Sequence, residues 1–270
     1  FRNALYDQYK AHRPPPPEDL IPQFQLVREA TAAFGVHCVE LPGYEADDVM
    51  ATLARRAVAQ GYEAAVVTGD KDVLQLAGGG IRIMRDATSG VWFGPAEVQA
   101  KYGIPPAQVV DYLAIVGDAT DNVPGVKGVG PVGAVKLLKQ FGSLKQAVAA
   151  AKAGDSSIPP KTAKALVDAA GEVDLYLSLI RLDDSAPIKA KVEDCLLARP
   201  DESKLRPVFE RLEFGSLLSA PAGGAGLAVA ERPSAVITDL PVWKETSFPN
   251  LYQDLAGAKS IMLASFRGQA

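Results

Sequence analysis

The chain has 270 residues, 48% hydrophobic and 7% aromatic, the make-up of an ordinary soluble globular protein with a sizeable core. Two distant cysteines, Cys38 and Cys195, give no disulfide framework and fit a reducing compartment, and no run of about 18 apolar residues spans a membrane. The formal net charge of −4 argues only weakly against nucleic-acid binding, because clustered carboxylates awaiting metal distort the total while phosphate contacts depend on local basic patches.

Residues 1–13 are polar and locally basic, with Arg2, Lys10, His12 and Arg13 interleaved with Tyr6 and Tyr9. The chain opens on Phe1 without a signal-peptide layout and reads as a fragment of a longer protein. Pro14 to Pro17 break any helix, and Glu18-Asp19 open the next. That helix runs to about Phe34, with Ile21, Phe24, Val27 and Ala30 on one face. Gly35 ends it, and Val36 to Leu41 reads as a strand. Pro42-Gly43 turns the chain into a helix from about Glu45 to Gln60, whose apolar positions Val49, Leu53 and Ala57 recur every four residues. Ala64 to Thr68 is a short apolar run that marks a buried parallel strand. Ile81 to Met84 is another strand, with Gly90 to Phe93 as its hairpin partner.

From Pro95 onward helices dominate, over roughly 95–102, 106–116 and 131–140, with others before Ser216. The pattern predicts an α/β fold, a mostly parallel sheet flanked by helices, followed by an all-helical subdomain. Residues 1–115 form the α/β part and 116–218 the helical part. A linker by composition covers 219–235, including the run Ser219 to Gly226, and 236–270 reads as the truncated start of a further α/β unit with a strand over Ser260 to Ser265.

Seven carboxylates fall in three clusters: Glu45, Asp47 and Asp48; Asp70 and Asp72; Asp118 and Asp121. Two-metal phosphodiester hydrolysis needs carboxylates from several elements converging on ions about 4 Å apart. Hard oxygen donors suit Mg²⁺ or Mn²⁺. Glu45 and Asp48 share a face of a helix's first turn, Asp70 and Asp72 follow a strand at the edge where open α/β sheets place their sites, and Asp118 and Asp121 are again three apart. Each cluster alone also reads as a helix cap, a macrodipole partner or a turn. Three of them at element ends favour a metal site. Asp70-Lys-Asp72 after a strand also fits an aspartyl nucleophile of haloacid-dehalogenase type, but the matching downstream motifs are absent. His12 and His37 have no metal-ligand spacing.

Directly behind the last acid lies Gly125-Val-Lys-Gly-Val-Gly130, followed by Ala134 and Leu137-Leu138. It lacks the Gly-Lys-Ser/Thr ending of a P-loop and follows no strand. The spacing fits a helix-hairpin-helix, in which Gly128 and Gly130 let the backbone approach DNA and a helix N-terminus takes a phosphate oxygen. Lys127, Lys136 and Lys139 supply positive charge, so binding should be independent of sequence and sensitive to salt. A plain helical hairpin is the rival reading.

Phe1-Arg-Asn with Tyr9-Lys10-x-x-Arg13-Pro, Gly43-Tyr-Glu-Ala-Asp-Asp48, Thr68-Gly-Asp-Lys-Asp72, Val116-Gly-Asp118-x-x-Asp121-Asn-x-Pro-Gly125 and Leu212-Glu-Phe-Gly215 occur in order. Over about residues 1–218 the chain resembles the 5′-nuclease (5′-3′ exonuclease) domains of bacterial DNA polymerases I, in the flap endonuclease family. The resemblance implies a PIN/resolvase-like sheet, a helix-hairpin-helix subdomain, and two-metal hydrolysis of DNA at flaps, nicks and 5′ ends in Okazaki-fragment processing and repair. It implies Mg²⁺ or Mn²⁺, K⁺ at the hairpin, a monomer, and a bacterial cytoplasmic, nucleoid-associated setting. By this likeness Glu45, Asp47 and Asp48 serve a first metal; Asp70, Asp72, Asp118 and Asp121 serve a second. Lys10 and Arg13 match the catalytic cations of a mobile helical arch, which steer and stabilise the scissile phosphate, and Arg2 joins the DNA-binding set. The family also has a preceding strand with an Asp, and a further Asp just before the Phe-Arg motif. Both would lie upstream of Phe1, so this piece alone is expected to cleave feebly or not at all. The alternative is a non-catalytic DNA-structure-binding module.

Overall fold

The computed structural model describes residues 1–86, 90–196 and 201–218, together with the backbone of a strand at 260–264. The expected linker at 219–235 lies outside them. A short helix α1 (Arg2–Leu5) precedes α2 (Ile21–Ala33) and α3 (Ala46–Ala59). Strand β1 (Glu63–Val67) follows, then a 3₁₀ turn over Asp72–Leu76, β2 (Ile81–Asp86) and β3 (Val91–Phe93). The helical part comprises α4 (Pro95–Tyr102), α5 (Val109–Val116), α6 (Pro131–Phe141), α7 (Leu144–Lys152), α8 (Pro160–Asp168) and α9 (Val173–Ile180). Helix α10 (Glu202–Arg211) then leads to a last turn, α11 (Gly215–Leu218), and the sheet gains β4 (Ser260–Ala264).

The sheet order is β3-β2-β1-β4, with β1 parallel to β2 and β4 and β3 antiparallel to β2. β1 obeys the period of two that a pleated strand requires. Ala64 and Val66 enter the main core, and Ala65 joins Met84 and Trp92 on the other face. Helix α3 lays Val49, Met50, Leu53, Ala54 and Ala57 into the same main core, the face its apolar spacing predicts. That core continues without a break through α5 to α9, so the α/β and helical parts share one interior.

Three expectations change. Val36 to Leu41 forms no strand: it joins no ladder of the sheet, and the place beside β1 opposite β2 is taken by β4. The strand expected to open a separate unit is β4, which pairs with β1 in register Glu63↔Ser260 to Val67↔Ala264 and covers backbone groups that an open edge would expose. On α2 the predicted apolar face is only partly used: Ile21 and Val27 are 53% and 47% exposed, and the helix packs through Ala33 on Leu205 and Phe209 of α10.

Candidate metal centre and nucleic-acid surface

The site lies at the carboxyl end of β1. Thr68 Oγ1 accepts from the amide of Asp70 at 3.1 Å, and Asp70 Oδ1 accepts from the amide of Asp72 at 3.0 Å. These two local bonds bend the chain into the 3₁₀ turn and set Asp72 at its first position, buried. Asp118 and Asp121 sit in a loop rather than on a helix face. The loop is closed by a β-bridge between Asp118 and Val123 and by two glycines packed back to back. A Cβ on Gly125 would lie 2.4 Å from Gly117 N, and both glycines have positive φ, +83° and +70°. No other residue fits that closure.

Ligand atoms of Asp72, Asp118 and Asp121 all fall within 4.8 Å of one another. All three residues are buried, and Asp72 Oδ1 has no hydrogen-bond partner. Burial pushes the Asp72 carboxyl well above the usual carboxylate range, and the negative charges of Asp70, Asp118 and Asp121 push it further. An orphaned buried oxygen amid three more carboxylates fits a hard divalent cation, which would supply the missing partner and the missing charge. Lys71 offsets part of this charge, its Nζ 2.9 Å from Asp118 Oδ1. Burial works against charging Lys71, but the hydrogen bond to Asp118 and the surrounding carboxylates outweigh it, and its pKa stands above the ordinary lysine value.

The 8–13 segment closes one side. Tyr9, buried, places its hydroxyl 3.1 Å from Asp121 Oδ2 and 3.3 Å from Glu45 Oε2. Burial and then the charges of Glu45 and Asp121 raise its pKa strongly. Lys10 donates to Glu45 Oε1 at 2.5 Å and lies 3.6 Å from Asp121; Arg13 donates to Asp121 Oδ1 at 2.6 Å. Glu45 is the N-cap of α3, and Asp47 follows in its first turn, half-buried.

Two expected site residues are used elsewhere. Asp48 was expected at the first metal and Arg2 at DNA. Instead the Arg2 guanidinium grips Asp48 through two bonds of 2.7 and 2.8 Å and donates to the carbonyls of Leu179 and Arg181. Asp48 also accepts from the amides of Glu45 and Asp183, and both side chains are buried, Asp48 completely. The planar fork of arginine matches a carboxylate, and α1 and α9 bring donor and carbonyls to the start of α3. The pair therefore stitches the α/β part to the end of α9. Among the described residues, Glu45, Asp47, Asp48 and Asp70 do not join the converging triad.

The glycine segment forms the turn between α5 and α6. Gly130 caps α6 without a side-chain cap, and Pro131 takes the first turn, where its missing N–H costs nothing. Gly128 (φ +80°) and Gly130 have nothing within 4 Å of where a Cβ would stand, and both are exposed, as are Lys127, Lys136 and Lys139. Val132, beside them, is 71% exposed. Reasoning from sequence missed the positions of Tyr9 and Lys71. The first lies inside a basic motif and the second between two acids, and adjacency was the available signal for both.

The chain matches the 5′-3′ exonuclease N-terminal resolvase-like domain over residues 1–103 and the 5′-3′ exonuclease C-terminal SAM fold over residues 104–203. It is 35% identical over 217 residues to a 5′-3′ exonuclease of Aquifex aeolicus, covering 80% of this chain and 72% of that one. It is 38% identical over 248 residues to DNA polymerase I of Rhizobium leguminosarum and 40% over 218 residues to the thermostable DNA polymerase I of Thermus thermophilus. Those matches cover 92% and 81% of this chain but only 24% and 25% of the polymerases, so the chain spans about a quarter of their length. Its fold is similar to a bacteriophage T5 flap endonuclease solved with DNA and metal ions (18% identity, TM-score 0.54, 80% of each chain). It is also similar to the catalytic core of Rad2 in complex with DNA substrate (17% identity, TM-score 0.53, 81% of this chain and 73% of that one). With both of its domain signatures in order and a relative covered over most of its length, the chain belongs to the 5′-3′ exonuclease family.

Proposed function

We propose that this chain is the 5′-nuclease part of a DNA polymerase I-type repair protein, acting on DNA with 5′ flaps, nicks or 5′ ends. The observation that carries the reading is the convergence of Asp72, Asp118 and Asp121, one oxygen of which is buried without a partner, beside the partly buried cations of Lys10 and Arg13. A divalent ion held there, Mg²⁺ or Mn²⁺, would polarise a phosphate oxygen and lower the pKa of a bound water. Asp70 adds negative charge and sets the turn that presents Asp72. Lys10 and Arg13, each about one-fifth exposed, are placed to neutralise the scissile phosphate. The N-terminus of α6, which no side chain caps, with the exposed Lys127, Lys136 and Lys139, would grip the duplex backbone without reading bases.

Cleavage of 5′-flap DNA with Mn²⁺, compared for the unaltered protein and Asp72→Asn with Asp118→Asn, tests the assignment. Cleavage is expected to fall by at least about a hundred-fold while DNA binding in Ca²⁺ persists. Cleavage at an unchanged rate overturns it. A second reading, a DNA-structure-binding module with feeble cleavage, draws support from the single triad among the described residues and from the engagement of Asp48 by Arg2. DNA binding with no cleavage by the unaltered chain would favour that reading.

A further inference from the structure

Asp121 is held from four directions at once. The Tyr9 hydroxyl and the Lys10 and Arg13 side chains address its carboxylate, and the Lys10 amide donates to its carbonyl at 3.2 Å. Arg13 Nε adds a bond to the carbonyl of Thr120, and Asn122 reaches back to the carbonyl of Gln8 at 2.8 Å. The 8–13 turn is thus clasped onto the 118–122 loop. It also holds Lys10 at φ +57°, a conformation that L side chains avoid and that persists only when surrounding contacts impose it. The clasp engages an oxygen donor of the candidate metal group, and its two cations are the ones placed to meet a phosphate.

We propose that Asp121 is an exchangeable ligand, contested between a divalent ion and the Lys10–Arg13 pair, so that ion binding unclasps the 8–13 turn and frees both cations for the substrate phosphate. This rests on the nuclease reading above, since it needs the triad to take an ion. Both oxygens of Asp121 are engaged, Oδ1 by Arg13 and Oδ2 by Tyr9, with Lys10 nearby, so an ion coordinating either one meets a positive charge or a donor already in place. Two cations and a divalent ion within a few ångströms repel one another strongly in a partly buried site, and the cations sit on flexible stems while the acids do not. Lys71 differs: it is bonded to Asp118 from within the rigid 68–72 turn, and it stays. The buried phenol of Tyr9 is the pin, a positioning residue that ties Glu45 to Asp121 while the turn is closed.

Two measurements on the 270-residue chain test this. Mn²⁺ titration followed by electron paramagnetic resonance compares the unaltered chain with Lys10→Met, Arg13→Met and the double variant. Amide hydrogen exchange over residues 8–13 is read with and without saturating Mn²⁺. The double variant is expected to bind Mn²⁺ roughly ten-fold more tightly, in the range of ordinary coupling between sites, and Mn²⁺ is expected to accelerate exchange at the Lys10 amide in the unaltered chain. Arg13→Met alone, at a partly exposed position, gives a smaller shift of the same sign and covers the case of a double variant that fails to fold. Equal or weaker Mn²⁺ binding by the variants, with the ion bound to the unaltered chain, overturns the exchange and leaves the nuclease reading standing. Unchanged exchange at 8–13 under bound Mn²⁺ does the same. Failure of the unaltered chain to bind Mn²⁺ overturns both.

Discussion

Arg2→Met removes the clasp that joins the two halves of the core while keeping most of the side-chain volume. Arginine at this position is 3% exposed and makes four hydrogen bonds, two to Asp48 and one each to the carbonyls of Leu179 and Arg181. Methionine restores none of them. Asp48, fully buried, keeps the amides of Glu45 and Asp183 but loses its counter-charge. Breaking a buried pair by removing one partner costs about 3–5 kcal/mol. With a urea slope near 3 kcal/mol per M for a domain of this size, the unfolding midpoint should fall by about 1 M or more. Circular dichroism during urea titration reads it directly. Adding Asp48→Leu should recover only part of the loss, because the two amides then have no acceptor, at about 1–3 kcal/mol each. Where the variant remains folded, its DNA affinity should keep the same salt dependence, since Arg2 faces inward. A midpoint shift below about 0.3 M, or a salt slope reduced by about one, would refute the clasp and return Arg2 to the DNA surface.

Asp72→Asn should stabilise the protein at pH 7 without divalent ions. The folded pKa of Asp72 is raised, so the folded state holds its proton more tightly than the unfolded chain, and stability is lost as pH rises from about 4 through the folded pKa. The advantage of asparagine should therefore vanish toward pH 4 and reverse when Mn²⁺ is added, because only the aspartate gains stability from the ion; thermal melts across pH with and without Mn²⁺ check both. Gly125→Ala should cost at least about 2 kcal/mol and weaken Mn²⁺ binding, since its Cβ would strike backbone at 2.4 Å. Gly128→Ala, open on all sides but at φ +80°, should cost only about 1–2 kcal/mol, and urea unfolding separates the two. Lys127→Ala with Lys136→Ala should lower the slope of log affinity against log salt by about two and weaken binding equally on unrelated DNA sequences, measured by fluorescence anisotropy.

The acid clusters were legible in sequence because local rules place them. Thr68, Asp70 and Asp72 build their own turn within five residues, and Gly117 and Gly125 bracket the Asp118 loop. Helix α3 and strand β1 were legible for the same reason, their periodicity matching the faces they bury. The role of Asp48 was not legible, because it is decided by Arg2, 46 residues earlier, and by carbonyls near residue 180. Within one helical turn Glu45 and Asp48 look equivalent; tertiary structure makes one a half-exposed acid at the site and the other a buried strut. Strand pairing escaped for a related reason. Nothing within Val36 to Leu41 or Ser260 to Ala264 states which of them will lie beside β1, and the ladder is awarded across nearly two hundred residues.

Local legibility and long-range control meet at Asp121. Its spacing from Asp118 is local, a turn closed by the Asp121 amide on the Asp118 carbonyl at 3.3 Å. Its carboxylate is engaged from a distance, by Tyr9, Lys10 and Arg13, more than a hundred residues earlier. The three acids of the triad thus have three kinds of neighbour: Asp72 has an orphaned oxygen, Asp118 has Lys71 from the same rigid turn, and Asp121 has a clasp that can open. An ion entering this group finds one ligand ready, one shared with a fixed cation and one to be taken from cations that can leave. Of the three, only the last ties ion binding to the position of the arms that would meet the phosphate. For that reason substitution at Lys10 and Arg13 should move ion affinity and DNA cleavage in opposite directions, tightening the first as it slows the second. Substitution at Asp72 should lower both.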